Sequence, residues 1–410
     1  MAGTKIPCSI TTQSPFWLRN NRSRLPLHNI SPSGNFSRIV FLYSPRFRIK
    51  AISPDHDKRH EQAPQTKSRA QFSFARNTFN FAADNFLPLA LIGGVAIGFT
   101  NPSIGCLADT FYLSKFSTVA IFVISGLTLR NGEIEKALKS WPVGLLGLCS
   151  ILLFTPSFSS IILQIHLQPK DFITGLALFS CMPTTLSSGI ALTQLAGGNT
   201  ALALAMTIIS NLLGILIVPF SISRFIASGV GVSLPVKQLF TNLVLMLLIP
   251  LIAGKVLRES SKGLSNVVDK NRRLLANISA ILLSTVPWIQ VSRSRALLLM
   301  VKPRSFITVI GLGVLLHFSM LVFNSVTLKI MSAISGRRKS IFAEKENAYA
   351  FVVVASQKTL PVLVAVVEQL GGTFGESGLL VLPCVAAHLI QIIMDSFLVN
   401  AVFRNDTKLA

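Results

Sequence analysis

The chain has 410 residues, 50% hydrophobic and only 13% charged, with a mean hydropathy of +0.59. Soluble domains carry about 25% charged residues, so this composition excludes an ordinary water-soluble enzyme and points to a protein that crosses a membrane several times. The formal net charge of +22 lies in an N-terminal tail and between apolar runs, and no folded basic face of the kind nucleic-acid binding needs stands out.

Residues 1–76 hold 13 Lys/Arg and 3 Asp/Glu, and the first acidic residue is Asp55. The stretch is rich in Ser, Thr, Pro and Asn and has no apolar core, so it reads as an organelle transit peptide and not a secretory signal. Pro7, Pro15, Pro26, Pro32 and Pro45 oppose a long amphipathic helix and favour a plastid over a mitochondrion. The expected organisation is a transit peptide and polar linker over 1–76 and a transmembrane transporter domain over 77–410, placed in the plastid inner envelope. Cys8, Cys106, Cys149, Cys181 and Cys384 make no metal-binding spacing.

Apolar runs follow at 86–107, 116–129, 141–163, 172–195, 200–220, 239–253, 274–291, 306–327, 348–370 and 377–402. They predict an all-α polytopic membrane protein of about ten transmembrane helices. An even number puts both termini on one side. The loops on that side hold 14 Lys/Arg and the opposite loops 8, which makes it the inside. Arg293 and Arg295 weaken that contrast.

Residues 172–223 contain no Asp, Glu, Lys or Arg, yet the middle of the first span within them reads Pro183-Thr184-Thr185-Leu186-Ser187-Ser188-Gly189. Backbone broken at membrane depth must be buried in protein or line a wet cavity. Transporters build solute and ion sites from such interrupted helices. A second copy of the pattern occurs in the ninth span. Thr185-Leu186 precedes Gln194 by nine residues, and Thr359-Leu360 precedes Gln369 by ten, each followed by Gly-Gly. Both segments are fourth in a set of five, so the halves 85–223 and 235–403 form two inverted five-helix repeats with two crossed broken helices.

Hydroxyl and amide oxygens suit a hard cation or a polar solute. Thr184, Thr185, Ser187 and Ser188 supply them at the first break, with Gln194 ending the segment. Thr207 and Asn211 are four apart on one face of the next span. At the second break stand Ser356, Gln357, Lys358 and Thr359. A mid-membrane Lys needs a partner, a wet cavity or an altered proton affinity, so Lys358 reads as an anion-binding charge, a proton carrier or a fixed charge in an ion site. His388, Gln391 and Asp395 share a face of the last span; if that face turns inward, Asp395 is a candidate counter-charge for Lys358 and His388 a candidate proton site, and the alternatives are an interfacial Asp395 and a helix-packing hydrogen bond for His388. His317 and Asn324 are further intramembrane polar groups, while Glu368 and Glu376 are expected near water. No enzymatic signature is present.

Three stretches carry a resemblance: Gly126-Leu127-Thr128-Leu129 closing the second span, Pro183 with Ser187-Ser188, and Leu195 to Gly198-Asn199 opening the fifth. With ten spans in two halves, residues of about 85–403 resemble the bile acid:sodium symporter family. The resemblance is to its plastid sodium/metabolite cotransporters and to the divergent branch that includes the seventh mammalian member. It implies a panel of spans one, two, six and seven and a core of the other six. It further implies sodium ions behind the crossed helices and an organic anion in the cleft between panel and core. Ser188 and Thr207 match sodium-ligand positions and Ser187 adjoins them. The family's ninth-span Glu is absent, and Gln357 or Lys358 falls near its Gln.

The resulting expectation is a sodium-coupled symporter of a small organic anion, with sodium as the one metal and no cofactor. Proton-coupled or uncoupled transport of an organic anion, or a regulator of ion homeostasis without transport of its own, stays open. The expected partners are the bilayer and the anion, with no nucleic acid.

Overall fold

A computed structural model describes residues 86–130, 138–336 and 340–400. The expected transit peptide and linker of residues 1–76 lie outside these residues, as does the end of the tenth expected run. Among the described residues every regular element is helical.

In chain order the helices are α1 (Phe86–Thr100), α2 (Pro102–Thr110), α3 (Leu113–Thr128), α4 (Trp141–Ile162), α5 (Lys170–Ser180), α6 (Ser188–Leu195) and α7 (Thr200–Val230). They continue as α8 (Val236–Ser260), α9 (Lys262–Lys270), α10 (Arg272–Met300), α11 (Pro303–Ile334), α12 (Lys345–Ser356), α13 (Leu360–Leu370) and α14 (Ser377–Leu398). Seven helices are long and apolar enough to cross a membrane: α4, α7, α8, α10, α11, the joined α12–α13 and α14. Eight are reached if the bent pair α1–α2 is one span. The other expected runs are α3 and the pair α5–α6. At about 1.5 Å per residue, the 16 residues of α3 fall short of a hydrocarbon core about 30 Å thick. The interruption leaves α5 and α6 too short separately.

Two expected spans differ in shape. The first is not continuous but breaks at Asn101–Pro102 and turns by 102°, because Pro102 has no N–H to donate and disfavours helix in the residue before it. The seventh runs on to Met300 and carries Arg293 and Arg295 within it. Arg295 meets the α1–α2 corner and Arg293 the far end of α2. The Arg293 guanidinium lies 3.3 Å from Asp109 Oδ2, and Arg295 Nε donates to the Phe99 carbonyl at 2.6 Å, one of the carbonyls orphaned where α1 ends.

α10 packs along α1, α3 and α14, and α3 along α8. The α3–α8 approach is set by small residues. A Cβ on Gly126 would lie 2.1 Å from the Leu251 carbonyl oxygen, and one on Gly254 2.2 Å from that of Val123. The C-terminal carbonyls of α3 are closed by cations from α8. Lys255 Nζ donates to Leu129 O at 3.0 Å and Arg258 Nη1 to Leu127 O at 2.8 Å, a charge sign that suits a helix C-terminus. Arg258 and Arg130 also clamp Asp269 of α9 at 2.9 Å each. The hydrogen bond from Arg258 is the largest influence holding this carboxyl below the usual carboxylate range.

The segment Lys345–Leu370 lies at the centre. Its residues 349–367 are all buried, whereas most residues of α8 and α11 are not. The outer helices turn Ile307, Phe318, Leu245 and Ile252 outward, as a lipid-facing surface requires.

Gly126→Ala is expected to lower the thermal unfolding midpoint in detergent by at least about 3 °C. Gly311→Ala, where an added Cβ meets nothing within 4 Å, should leave it unchanged. Equal midpoints for the two variants would contradict the α3–α8 contact.

Candidate functional site

The two interruptions lie against each other. The chain unwinds over residues 181–187 between α5 and α6, and over 357–359 between α12 and α13. Pro183 and Pro361 favour both departures, since neither has the N–H that a continuous helix would give to the carbonyl four residues before it. The released backbone groups then pair across the crossing. Thr359 N donates to Pro183 O at 2.9 Å, and Thr184 Oγ1 to Val354 O at 2.5 Å. In a continuous helix Val354 O would have taken the N–H of Lys358. That N–H goes instead to Gln391 Oε1 of α14 at 3.0 Å, while Gln391 Nε2 donates to Lys358 O at 2.7 Å. One side-chain amide thus satisfies both sides of the Lys358 residue, and His388 Nδ1 lies 3.2 Å from the same carbonyl.

The side chains form a second layer. Thr185 Oγ1 and Ser188 Oγ donate to Gln357 Oε1 at 2.5 and 2.8 Å, and Gln357 Nε2 donates to Asp395 Oδ2 at 2.6 Å. The other carboxylate oxygen of Asp395 lies 2.7 Å from His317 Nε2 of α11. Asp395 is therefore partnered by His317 and Gln357. It is not the counter-charge of Lys358 that the sequence suggests, nor does it reach water. Lys358 extends away from it toward α4, and its ammonium donates to Ile151 O at 3.1 Å, Thr155 Oγ1 at 2.6 Å and Met182 O at 2.9 Å. The reason is an oxygen-rich turn of α4 that the sequence does not announce. Asn324 of α11 adds a bridge, with Nδ2 donating to Ser356 Oγ at 3.0 Å and Oδ1 accepting from Ser150 Oγ.

On α7, Asn211 Nδ2 donates to Thr184 O at 2.9 Å and to Thr207 O at 2.8 Å. Its own oxygen, Oδ1, and Thr207 Oγ1 are both buried and have no hydrogen-bond partner among the described residues. Two buried acceptors with free lone pairs, beside an unwound segment, are uncommon in a folded protein. They have the chemistry to ligate a hard cation.

Next to the crossing lies a cavity of about 370 Å³. One wall is Thr185, Leu186, Ser187, Ser188, Thr359, Pro361 and His388, and the other comes from α1, α3 and α10. Arg272, at the start of α10, is exposed and brings a full positive charge to the lining.

Of the residues singled out from the sequence, Thr184, Thr185, Ser188, Thr207, Asn211, Ser356, Gln357, Lys358, Thr359, His388 and Asp395 converge on this region. Ser187 is exposed into the cavity, whereas Gln194 is on an outer, exposed face of α6 and does not join them. Glu368 is half-buried, not in water, and accepts hydrogen bonds from Ser114 and Thr118 of α3. Thr155 and Arg272 were not singled out; the dipeptide Thr155-Pro156 inside an apolar run was the available signal for the first.

Comparison with known proteins gives a consistent picture. The model of the SBF-like CPA transporter family matches residues 84–404. The chain is similar to an Arabidopsis thaliana protein named probable sodium/metabolite cotransporter BASS4, chloroplastic, at 61% identity over 337 residues, 82% of this chain and 77% of that protein. A protein of the same name from Oryza sativa subsp. indica is 60% identical over 341 residues, 83% and 81% of the two chains. The sodium/bile acid cotransporter 7-B of Xenopus laevis is 24% identical over 301 residues, 73% and 84% of the two.

Gln391→Leu would leave the buried Lys358 N–H without an acceptor and is expected to destabilise the protein by about 1–3 kcal/mol. Gln194→Leu, on the exposed face, is expected to stay within about 0.5 kcal/mol. Thermal unfolding of both variants in nanodiscs checks the pair, and a harmless Gln391→Leu would contradict the crossing.

Proposed function

The chain belongs to the SBF-like CPA transporter family, and from that premise we propose that it is a secondary active transporter coupling sodium to the entry of a small organic anion. The observation that carries the sodium part is the pair of buried, unpartnered oxygens, Thr207 Oγ1 and Asn211 Oδ1. In this reading they are sodium ligands. Ser188, Thr185 and Gln357 link the ion to the cavity, with Ser187 on the cavity wall and Ser356 buried behind the second break. Sodium is a co-substrate, released after each cycle.

The anion binds in the cavity between the crossing and α1, α3 and α10. Arg272 supplies the positive charge, and Ser187, Ser188 and Thr359 supply hydroxyls. A volume of about 370 Å³ is near the lower end of the about 300–1,000 Å³ of small-molecule sites, which favours a compact metabolite. In this reading α1–α3, α8 and α10 form the panel, and α4–α7 and α11–α14 form a core that rocks against it, exposing the site alternately to each side. The names of the plant relatives and the acid-poor N-terminal tail support a plastid membrane; in this reading that membrane is the inner envelope, with residues 1–76 as transit peptide and linker and 77–410 as the transporter.

The test is uptake into proteoliposomes of keto acids, sterol acids and vitamin precursors, with sodium and proton gradients imposed separately. An inward sodium gradient is expected to drive uptake of at least one compact anion. Thr207→Val should raise the sodium concentration for half-maximal uptake about tenfold, the equivalent of about 1.4 kcal/mol. Arg272→Gln should raise the KM for the anion and leave the sodium response in place. Uptake driven by protons alone would contradict the sodium assignment, and no gradient dependence for any anion would contradict transport altogether.

A further inference from the structure

We propose that Ile151 O, Thr155 Oγ1 and Met182 O form a monovalent-cation site that this chain fills with its own Lys358 ammonium. The site stands apart from the Thr207–Asn211 oxygens, and its argument does not need transport. Its consequence for coupling, one mobile cation per cycle because the second is tethered, does rest on the transporter reading.

The three oxygens are acceptors that the backbone geometry leaves open. α4 passes through a π turn at Ser150–Phe154, where the N–H of Thr155 is given to Ser150 O. Continuing that i→i−5 register, residue 156 would donate to Ile151 O, but Pro156 has no N–H. Ile151 O accepts instead from the Thr155 hydroxyl, at 2.9 Å. Met182 O is the carbonyl before Pro183, where α5 has ended and the chain is unwound. Thr155 Oγ1, having donated its proton to Ile151 O, turns lone pairs outward. All three point at one place, occupied by Lys358 Nζ at 2.6–3.1 Å.

Three acceptors match the three hydrogens of an ammonium. Lys358 is 1% exposed. Among the described residues no carboxylate pairs with it, since both Asp395 oxygens are taken by His317 and Gln357. A ring of neutral hydroxyl and carbonyl oxygens around a buried positive charge is how proteins hold a bare monovalent cation. The side chain reaches this ring from the second break, so the ammonium also ties α4, the first break and the second break together.

The test is chemical rescue. Lys358→Ala is purified in nanodiscs and melted in about 100 mM ammonium, potassium, sodium or choline chloride. Ammonium is expected to raise its midpoint by at least about 3 °C over choline, which is too large to enter. The wild-type protein, with the site filled, should show no such difference between ammonium and choline. Lys358→Met, which lays an apolar chain across the oxygens, should also show none. If Lys358→Ala does not fold, Lys358→Ser, whose hydroxyl keeps a water in the space, carries the same readout. Equal midpoints of the small variant in all four salts, or an equal ammonium effect on the wild type, would overturn the assignment. Melting requires no transport, so a flat melting response counts against the tethered cation whatever uptake shows. A flat uptake assay counts against transport whatever melting shows.

Discussion

Open backbone hydrogen-bonding groups at membrane depth have no water to turn to, and the rest of this structure depends on how two breaks satisfy that demand. Neither break is self-sufficient. Pro183 O takes the N–H of Thr359, Thr184 covers Val354 O, and Gln391 closes the N–H and C=O of Lys358. The crossing therefore holds together as a unit braced by α14 and α7. A displacement of one broken segment must carry the other with it, which makes this part of the molecule suited to moving as a body.

The polar side chains divide the charge within that unit. Lys358 turns toward α4 and neutral oxygens, while Asp395 turns toward His317 and Gln357. Gln357 joins the two layers, since its amide nitrogen serves the carboxylate and its oxygen gathers Thr185 and Ser188 at the cavity wall. Gln357 is thus the one amide that connects the cavity wall to the buried acid. Close-packed interiors pass on displacements because they have little slack.

Much of this was legible in the sequence. A proline among hydroxyls in an uncharged run of residues 172–223 marks a break, and a mid-span lysine marks a second place that must be polar. The resemblance to the transporter family rested on the first of these, Pro183 with Ser187-Ser188, together with Gly126–Leu129 and Leu195–Asn199. The i, i+3, i+7 spacing of His388, Gln391 and Asp395 located the face of α14 that closes the crossing. The partner of Lys358 was not legible, because two of its three acceptors are backbone carbonyls and carry no residue identity. Ile151 O is open because a π turn ends at Pro156, and Met182 O because the chain unwinds before Pro183; hydrophobic periodicity does not register one extra residue in a turn. Gln194 looked equivalent to its neighbours by sequence, but the direction in which α6 leaves the break puts it outside. Arg272 lies just outside the expected run 274–291, whereas α10 begins at it.

The most direct measurement is a high-resolution electron cryomicroscopy map of the protein in sodium-containing nanodiscs. It should show the chain unwound over 181–187 and 357–359, the Gln391 amide on the Lys358 backbone, and Lys358 density reaching Ile151, Thr155 and Met182. A separate density should lie between Thr207 Oγ1 and Asn211 Oδ1. A continuous helix through either interruption, or a Lys358 side chain turned into the cavity toward Arg272, would contradict the crossing as the site of coupling.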